Sequence, residues 1–358
     1  MEHNADSQEL LEKITYPAFV VKDGVITSVN QHAQQRGCHA NMQITSLIDI
    51  GAEDYAAFTN GKLCLTLNVC DTIYNATVTP LRGGHLFCLE SDYEEPELRA
   101  FSHAAVQLRE PLSSAMAETE QLLPNPSVQN DPELRDQISK INRNLYQMLR
   151  AVLNMSDTTR YKTGRSAKKA VYETTGIFEE ILEKASHLAE KSGRTLEYSI
   201  PKQPVVCMVD AIQLERAVLN LISNALKYSS EKSTVTAELR RGSNTLIFSI
   251  WDNGTAPKER SDLFSSYLRE PGLADGNMGI GLGMTIVRAV AIAHGGTVLM
   301  EQPKDSGIKI TMTISSSQSN DMPLRSASRP LYDYAGYRDH TLLELADVLS
   351  DILYRETF

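Results

Sequence analysis

Glycine at every second position (Gly279, Gly281 and Gly283), followed at once by the apolar run 284–293, constrains this chain more than any other stretch. A helix beginning near Gly283 points its unsatisfied backbone N–H groups and its positive dipole end back into the turn. With no Cβ in the way, such a turn can close around phosphate oxygens. Gly295 and Gly296 supply the stop. A glycine turn ahead of a helix also occurs in ordinary loops, so its meaning depends on what the rest of the chain brings to it.

A length of 358 residues predicts two to four domains. The formal charge is −10, from 35 basic and 45 acidic residues, which argues against a nucleic-acid-binding surface. No apolar run approaches the roughly 18 residues of a membrane span. The polar, acidic start of the chain does not read as a signal peptide. Cys38, Cys64, Cys70, Cys88 and Cys207 form no C-x-x-C pair and read as reduced thiols, so the expected location is cytoplasmic.

Residues 1–93 read as a small α/β unit. Strand-like runs at 18–22 and 25–29 flank a turn at Gly24, short helical pieces follow over 30–58, and alternating runs at 62–69, 72–81 and 85–90 close the unit. The order of two strands, short helices and three strands, with its opening at 17–30, resembles a PAS sensor domain. That resemblance implies a small-molecule or protein signal, and His32, His39 and His85 are weak cofactor candidates because lone histidines are more often structural. Residues 94–160 predict two long amphipathic helices broken at 124–127, a hairpin whose core is completed when two copies pair into a four-helix bundle. A basic linker occupies 161–170, and a second α/β domain occupies 171–318. Residues 319–358 read as a flexible tail: 315–330 are rich in Ser, Asn and Pro and predict disorder, and 339–355 predict an acidic amphipathic helix, either solvated or docked.

Further stretches of the second domain bear on the glycine turn. Asn220, Asn224 and Lys227 fall at i, i+4 and i+7, on one helix face amid apolar residues, with Tyr228 next in line. A carboxamide oxygen suits Mg2+, and the Lys227 ammonium can meet phosphate. An apolar strand ends at Asp252, whose carboxylate can accept from the exocyclic amine of adenine, and Gly254 makes the turn. Phe264 and Arg269 precede a segment rich in Gly, Asp and Asn that runs up to the glycine turn.

The set Asn220-x-x-x-Asn224-Ala-x-Lys227-Tyr228, Asp252-x-Gly254, Phe264-x-x-Tyr-x-Arg269 and Gly279-x-Gly281-Leu282-Gly283 resembles the N, G1, F and G2 boxes of the GHKL ATP-binding domain of sensor histidine kinases, in the same order. With the hairpin before it, the resemblance covers 95–318. It implies an α+β multidomain protein that takes ATP and Mg2+. Asn224 would hold the metal, Lys227 contact phosphate, Tyr228 pack near adenine, Asp252 bind its amino group, and 257–278 form a lid. Ala256 departs from the family, which has a second glycine there. GHKL ATPases such as gyrase carry a glutamate at the position of Asn220; an amide cannot take up a proton, which disfavours hydrolysis as the main activity.

The hairpin matches less well. Aligned on Leu108, Arg109, Pro111 and Leu112, the family's phosphoaccepting histidine falls on Val106, its acidic neighbour on Gln107 and its threonine on Glu110. His103 lies three residues upstream, about 4.5 Å along a helix axis and about 60° around it. Two readings stay open. One is a two-component sensor kinase with His103 as displaced acceptor and a response-regulator receiver domain as partner. The other is an ATP-binding pseudokinase that acts as a dimeric regulator. A serine kinase of the anti-sigma type is disfavoured because those lack the hairpin.

Overall fold

The computed structural model describes residues 11–14, 16–48, 63–70, 72–81, 83–90, 96–162, 167–229, 233–252, 282–301, 307–316, 324–325 and 334–355. The first unit pairs β1 (Ala18–Lys22) with β2 (Val25–Val29), then runs through α1 (Gln31–Gln35) and a 3-10 turn at Ile44–Ser46 into β3 (Leu63–Val69), β4 (Thr72–Leu81) and β5 (Gly84–Glu90). Asn30 is the local organiser. Its buried amide caps α1 at Ala33 N (2.9 Å), accepts from Ala18 N (3.0 Å) and donates to the Tyr16 carbonyl (2.8 Å). Phe19 and Phe87 stack in the core at 5.0 Å.

The hairpin helices are α2 (Pro96–Leu122) and α4 (Pro132–Lys162), joined through a short α3 (Pro126–Gln129) where the sequence predicts only a break. Asn125 caps α3, and Asp131 caps α4 by accepting from Glu133 N (3.0 Å) and Leu134 N (3.1 Å). Helix α4 continues through residues assigned above to the linker. Leu112, Met116, Tyr146, Leu149 and Leu153 are buried, whereas Val106, Leu108, Leu134, Ile141 and Met148 are exposed.

The second domain comprises β6 (Ala170–Glu173), α5 (Thr174–Lys191), β7 (Thr195–Ser199), β8 (Val206–Val209), α6 (Ala211–Tyr228), β9 (Thr234–Arg241), β10 (Thr245–Asp252), α7 (Leu282–Ala293), β11 (Val298–Glu301) and β12 (Lys309–Ser315). Helices α5, α6 and α7 bury Phe178, Leu182, Val218, Ile222, Ile286 and Val290 in one core with Phe248 and Ile250 of β10. The sequence reading missed β6 and β11, which are four residues each and too short to show an alternation.

Among the described residues, one sheet runs β2-β1-β5-β4-β3-β11-β12-β10-β9-β7. The first unit therefore joins the second edge to edge, through Met300↔Cys64 and Glu301↔Leu63, and Leu299 is buried among the apolar residues of the first unit. Glu301 sits at this seam, 7% exposed, opposite Lys309. Burial pushes its carboxyl up to about 7, with Lys309 opposing the shift. The folded protein thus holds a proton that the unfolded chain has lost, so stability falls as pH rises from the ordinary carboxyl value of 4.5 through about 7. Glu301→Gln is expected to add about 1–2 kcal/mol at pH 8, discounted for partial solvation, and nothing near pH 4.5. Urea titrations at the two pH values read the difference; an equal effect at both removes the link to titration.

Gly296 packs so tightly on β12 that a Cβ would overlap the Thr313 carbonyl oxygen. Backbone cannot swing aside as a side chain can. Gly296→Ala should cost about 2–3 kcal/mol, read as a lower urea midpoint with unchanged slope.

Of 315–330, only 315–316 and 324–325 are among the described residues; β13 (Leu324–Arg325) pairs parallel with β6, and the expectation of disorder for the rest lies outside the described residues. The expectation of one helix further on fails. In place of one helix over 339–355 there is a five-residue α8 (His340–Glu344), a stretch of turns, and a 3-10 turn at Asp351–Tyr354. Leu342, Leu343, Leu345, Leu349 and Tyr354 are all buried, more than one stripe of a straight helix can hide, and they are wrapped between α4, α5 and α6.

Candidate nucleotide-binding site

Asp210 caps α6 by accepting from Gln213 N (3.2 Å), and the helix runs without a break to Tyr228. Its face carries Asn220, fully buried, then Asn224, Lys227 and Tyr228, each half-buried. Helix α7 starts at Leu282 and lies against α6, so that a Cβ on Gly283 would sit 2.8 Å from Asn220 Oδ1 and 3.8 Å from Asn224 Nδ2. The structure thus brings Asn220, Asn224 and Gly283 together. Glycine is required there by the closeness of the two helices, since the Asn220 amide is held and cannot give way. Lys227 Nζ lies 6.0 Å from the centre of the Tyr228 ring.

Asp252 ends β10, 6% exposed. Gly307 packs on its carboxylate so closely that a Cβ would overlap Oδ1. A buried carboxylate backed by a bare glycine backbone suits recognition of a flat polar group edge-on. Gly254, Phe264, Arg269, Gly279 and Gly281, with Ala256 and the 257–278 segment, lie outside the described residues.

The sequence reading did not anticipate what surrounds Asn220. Its Oδ1 accepts from Arg150 of α4 (3.3 Å), and its Nδ2 donates to the Arg216 carbonyl (2.9 Å) and to Glu344 Oε2 (3.3 Å). Glu344, with no exposed surface, also accepts from Arg216 Nε (3.1 Å) and Arg150 Nε (3.3 Å). Arg216, equally buried, reaches Asn154 Oδ1 (2.8 Å) and Asp157, and its guanidinium lies over the Tyr334 ring at 4.8 Å. Asp347 bridges Arg150 (2.7 Å) and Lys227 (3.6 Å). Burial, and then the Asp347 carboxylate, push the Tyr228 phenol up. A sequence signal for this network is the recurrence of polar residues at helical spacing, Arg143, Gln147, Arg150, Asn154 and Asp157 on α4 and Gln213, Arg216 and Asn220 on α6.

Val106 and His103 are both exposed on α2. Among the described residues, no cluster of three His, Cys, Asp or Glu side chains could hold a metal, and no helix is long and apolar enough to cross a membrane. Cys38 and Cys207 are buried; burial pushes the Cys38 thiol up to about 11, which leaves it inert as a nucleophile.

Residues 209–318 match the family described as histidine kinase-, DNA gyrase B- and HSP90-like ATPase. Sensor protein KdpD of Escherichia coli (strain K12) is 28% identical over 225 residues, 61% of this chain and 24% of its own length. Signal transduction histidine-protein kinase/phosphatase MprB of Mycolicibacterium vanbaalenii is 28% identical over 224 residues, 61% of this chain and 45% of its own. The crystal structure of full-length ShkA in complex with AMPPNP superposes with a TM-score of 0.48 at 19% identity, over 62% of this chain and 47% of that one. The chain spans less than half the length of these relatives. Residues 209–318 thus match the histidine kinase-, gyrase B- and HSP90-like ATPase family, and the chain is similar to sensor histidine kinases.

Proposed function

We propose that the chain is a dimeric, PAS-containing signalling protein of the sensor histidine kinase type, whose domain at 171–318 takes Mg-ATP for phosphoryl transfer. The observation that carries this reading is the approach of Asn220 and Asn224 of α6 to Gly283 at the start of α7, with Lys227 further along α6 and Asp252 at the end of β10. The donor set fits the group: an amide oxygen for a hard cation, an ammonium for phosphate, a buried carboxylate for the adenine amine. Bound Mg-ATP would supply the transferable phosphoryl group and the charge that neutralises it. The chain's own part is to orient it: Asn224 by ligation, Lys227 by charge, and the free N–H groups at the start of α7 by donation.

The hairpin at 94–160 would pair with a second copy. Leu134, Ile141 and Met148 recur every seven residues on α4, and all three are exposed, which suits a helix seam. A receiver domain is the proposed onward partner, the first unit the proposed signal input, and the cytoplasm the proposed location.

A second reading has its own observation. Val106 stands exposed where the acceptor is expected, with no nucleophile, and in-line transfer tolerates little displacement. On that reading the chain binds ATP without phosphorylating itself. Incubation with γ-labelled ATP separates the two. Acid-labile label that disappears in His103→Ala establishes transfer. No label, with nucleotide binding intact, leaves the regulator.

A further inference from the structure

We propose that residues 334–355 are an autoinhibitory clamp: the Glu344 and Asp347 carboxylates occupy the Asn220–Lys227 edge of the nucleotide site, so that docking of this segment and binding of Mg-ATP exclude one another. The inference rests on the site reading given under Proposed function.

The occupancy is specific. Both heteroatoms of the Asn220 amide are engaged, one with Arg150 and the other with Glu344 and the Arg216 carbonyl. Asp347 lies 3.6 Å from Lys227, the cation assigned to phosphate, and 2.7 Å from Arg150. A carboxylate held between an ammonium and a guanidinium is placed as a phosphate oxygen would be. A polyphosphate arriving at Lys227 meets this anion, and two anions on one cation repel. Because the segment is part of the chain, its local concentration is high and independent of dilution.

The clamp holds more than the site. Arg143, Gln147 and Arg150 recur along α4, and all three bind the segment: Arg143 at Asp351 (2.9 Å), Gln147 at the Ala346 carbonyl (3.1 Å), Arg150 at Asp347. On the first hairpin helix, Glu120 accepts from Arg338 (2.8 Å) and Arg109 donates to the Tyr334 carbonyl (3.2 Å). From α6, Glu215 meets His340 (2.8 Å). The segment thus ties both hairpin helices to the ATPase domain. Its release takes Glu344 off Asn220 and Asp347 off Lys227 and, in the same step, frees the hairpin to move relative to the site. A buried Glu344 is costly unless all its partners stay in place, so the docked state is all-or-none rather than graded.

The test uses the full chain with Mg-ATP as probe, read by calorimetry and by amide exchange over 340–354. Asp347→Asn removes the competing charge at a partly exposed position, and Leu349→Asp unseats the segment by placing a charge in its buried face. Both are expected to bind Mg-ATP about tenfold more tightly or better. By reciprocity, saturating Mg-ATP speeds exchange over 340–354 in the unmodified chain. Equal affinity in the unmodified chain and Asp347→Asn, with exchange unmoved by nucleotide, overturns the clamp and leaves the site reading standing. If neither the unmodified chain nor the folded variants bind Mg-ATP, the site reading itself fails and the clamp falls with it. Should Leu349→Asp not fold, Asp347→Asn and the exchange measurement decide alone.

Discussion

Arg216→Ala is expected to destabilise the protein by about 3–5 kcal/mol, the largest effect of any single change proposed. Arg216 and Glu344 are both without exposed surface, and Arg216 also holds Asn154 and Asp157. Truncation leaves Glu344 a buried carboxylate with Arg150 and the Asn220 amide as its remaining partners at this site, both at 3.3 Å. The penalty comes from the charge left behind rather than from the worth of one ion pair, and this makes a distinctive signature. In a Glu344→Leu background the same Arg216→Ala change should cost at least about 2 kcal/mol less, because there is no orphaned carboxylate to desolvate. Equilibrium urea unfolding of the four proteins closes the cycle. A cost below about 1 kcal/mol in both backgrounds means the network is not closed in solution.

Asn224→Ala is expected to weaken Mg-ATP binding about 100-fold and to remove its dependence on magnesium. Asn224 is half-buried, next to Gly283 and one turn from Lys227, and alanine at that exposure leaves the helix intact. Titrations with and without EDTA separate the metal-dependent part of the affinity from the rest. Lys227→Ala, by contrast, should lower affinity with the magnesium dependence retained, because a point charge on phosphate does not ligate the metal. Unchanged affinity in Asn224→Ala places the metal elsewhere and removes the assignment. The two predictions are nearly independent: the first concerns the buried ion network, the second the open end of the same helix.

Several features of the site were legible in the residues alone. Polar side chains at 220, 224 and 227 share one helix face with apolar neighbours, and an amide as buried as Asn220 must be partnered, because an unsatisfied buried amide costs more than a surface one gains. The spacing of four and three fixed them on one face of an expected helix, and the helix that carries them runs Ala211–Tyr228. The glycine at 283 was legible as well; the structure adds that it admits α7 to within contact of Asn220. The strands 63–69 and 72–81 follow from alternation and form within a residue of their expected limits, and the apolar strand 245–252 ends at Asp252 as expected.

What the sequence by itself determined is local: where helices and strands run, which face each one buries, and which chemistry is concentrated around residues 220–228, 252 and 283. The tertiary structure decided three things that no local pattern carries. It extended one sheet through β11 and β3, because edge strands pair by backbone groups that carry no side-chain signature. It broke the expected C-terminal helix into a short helix and turns, because wrapping buried residues on several sides outweighs the gain of a continuous helix. And it set Glu344 among Arg150, Arg216 and Asn220, residues that lie between 124 and 194 positions away from it in sequence. A charge is tolerated in the interior only where opposite charges and donors converge on it, and such convergence is a property of the packed chain alone.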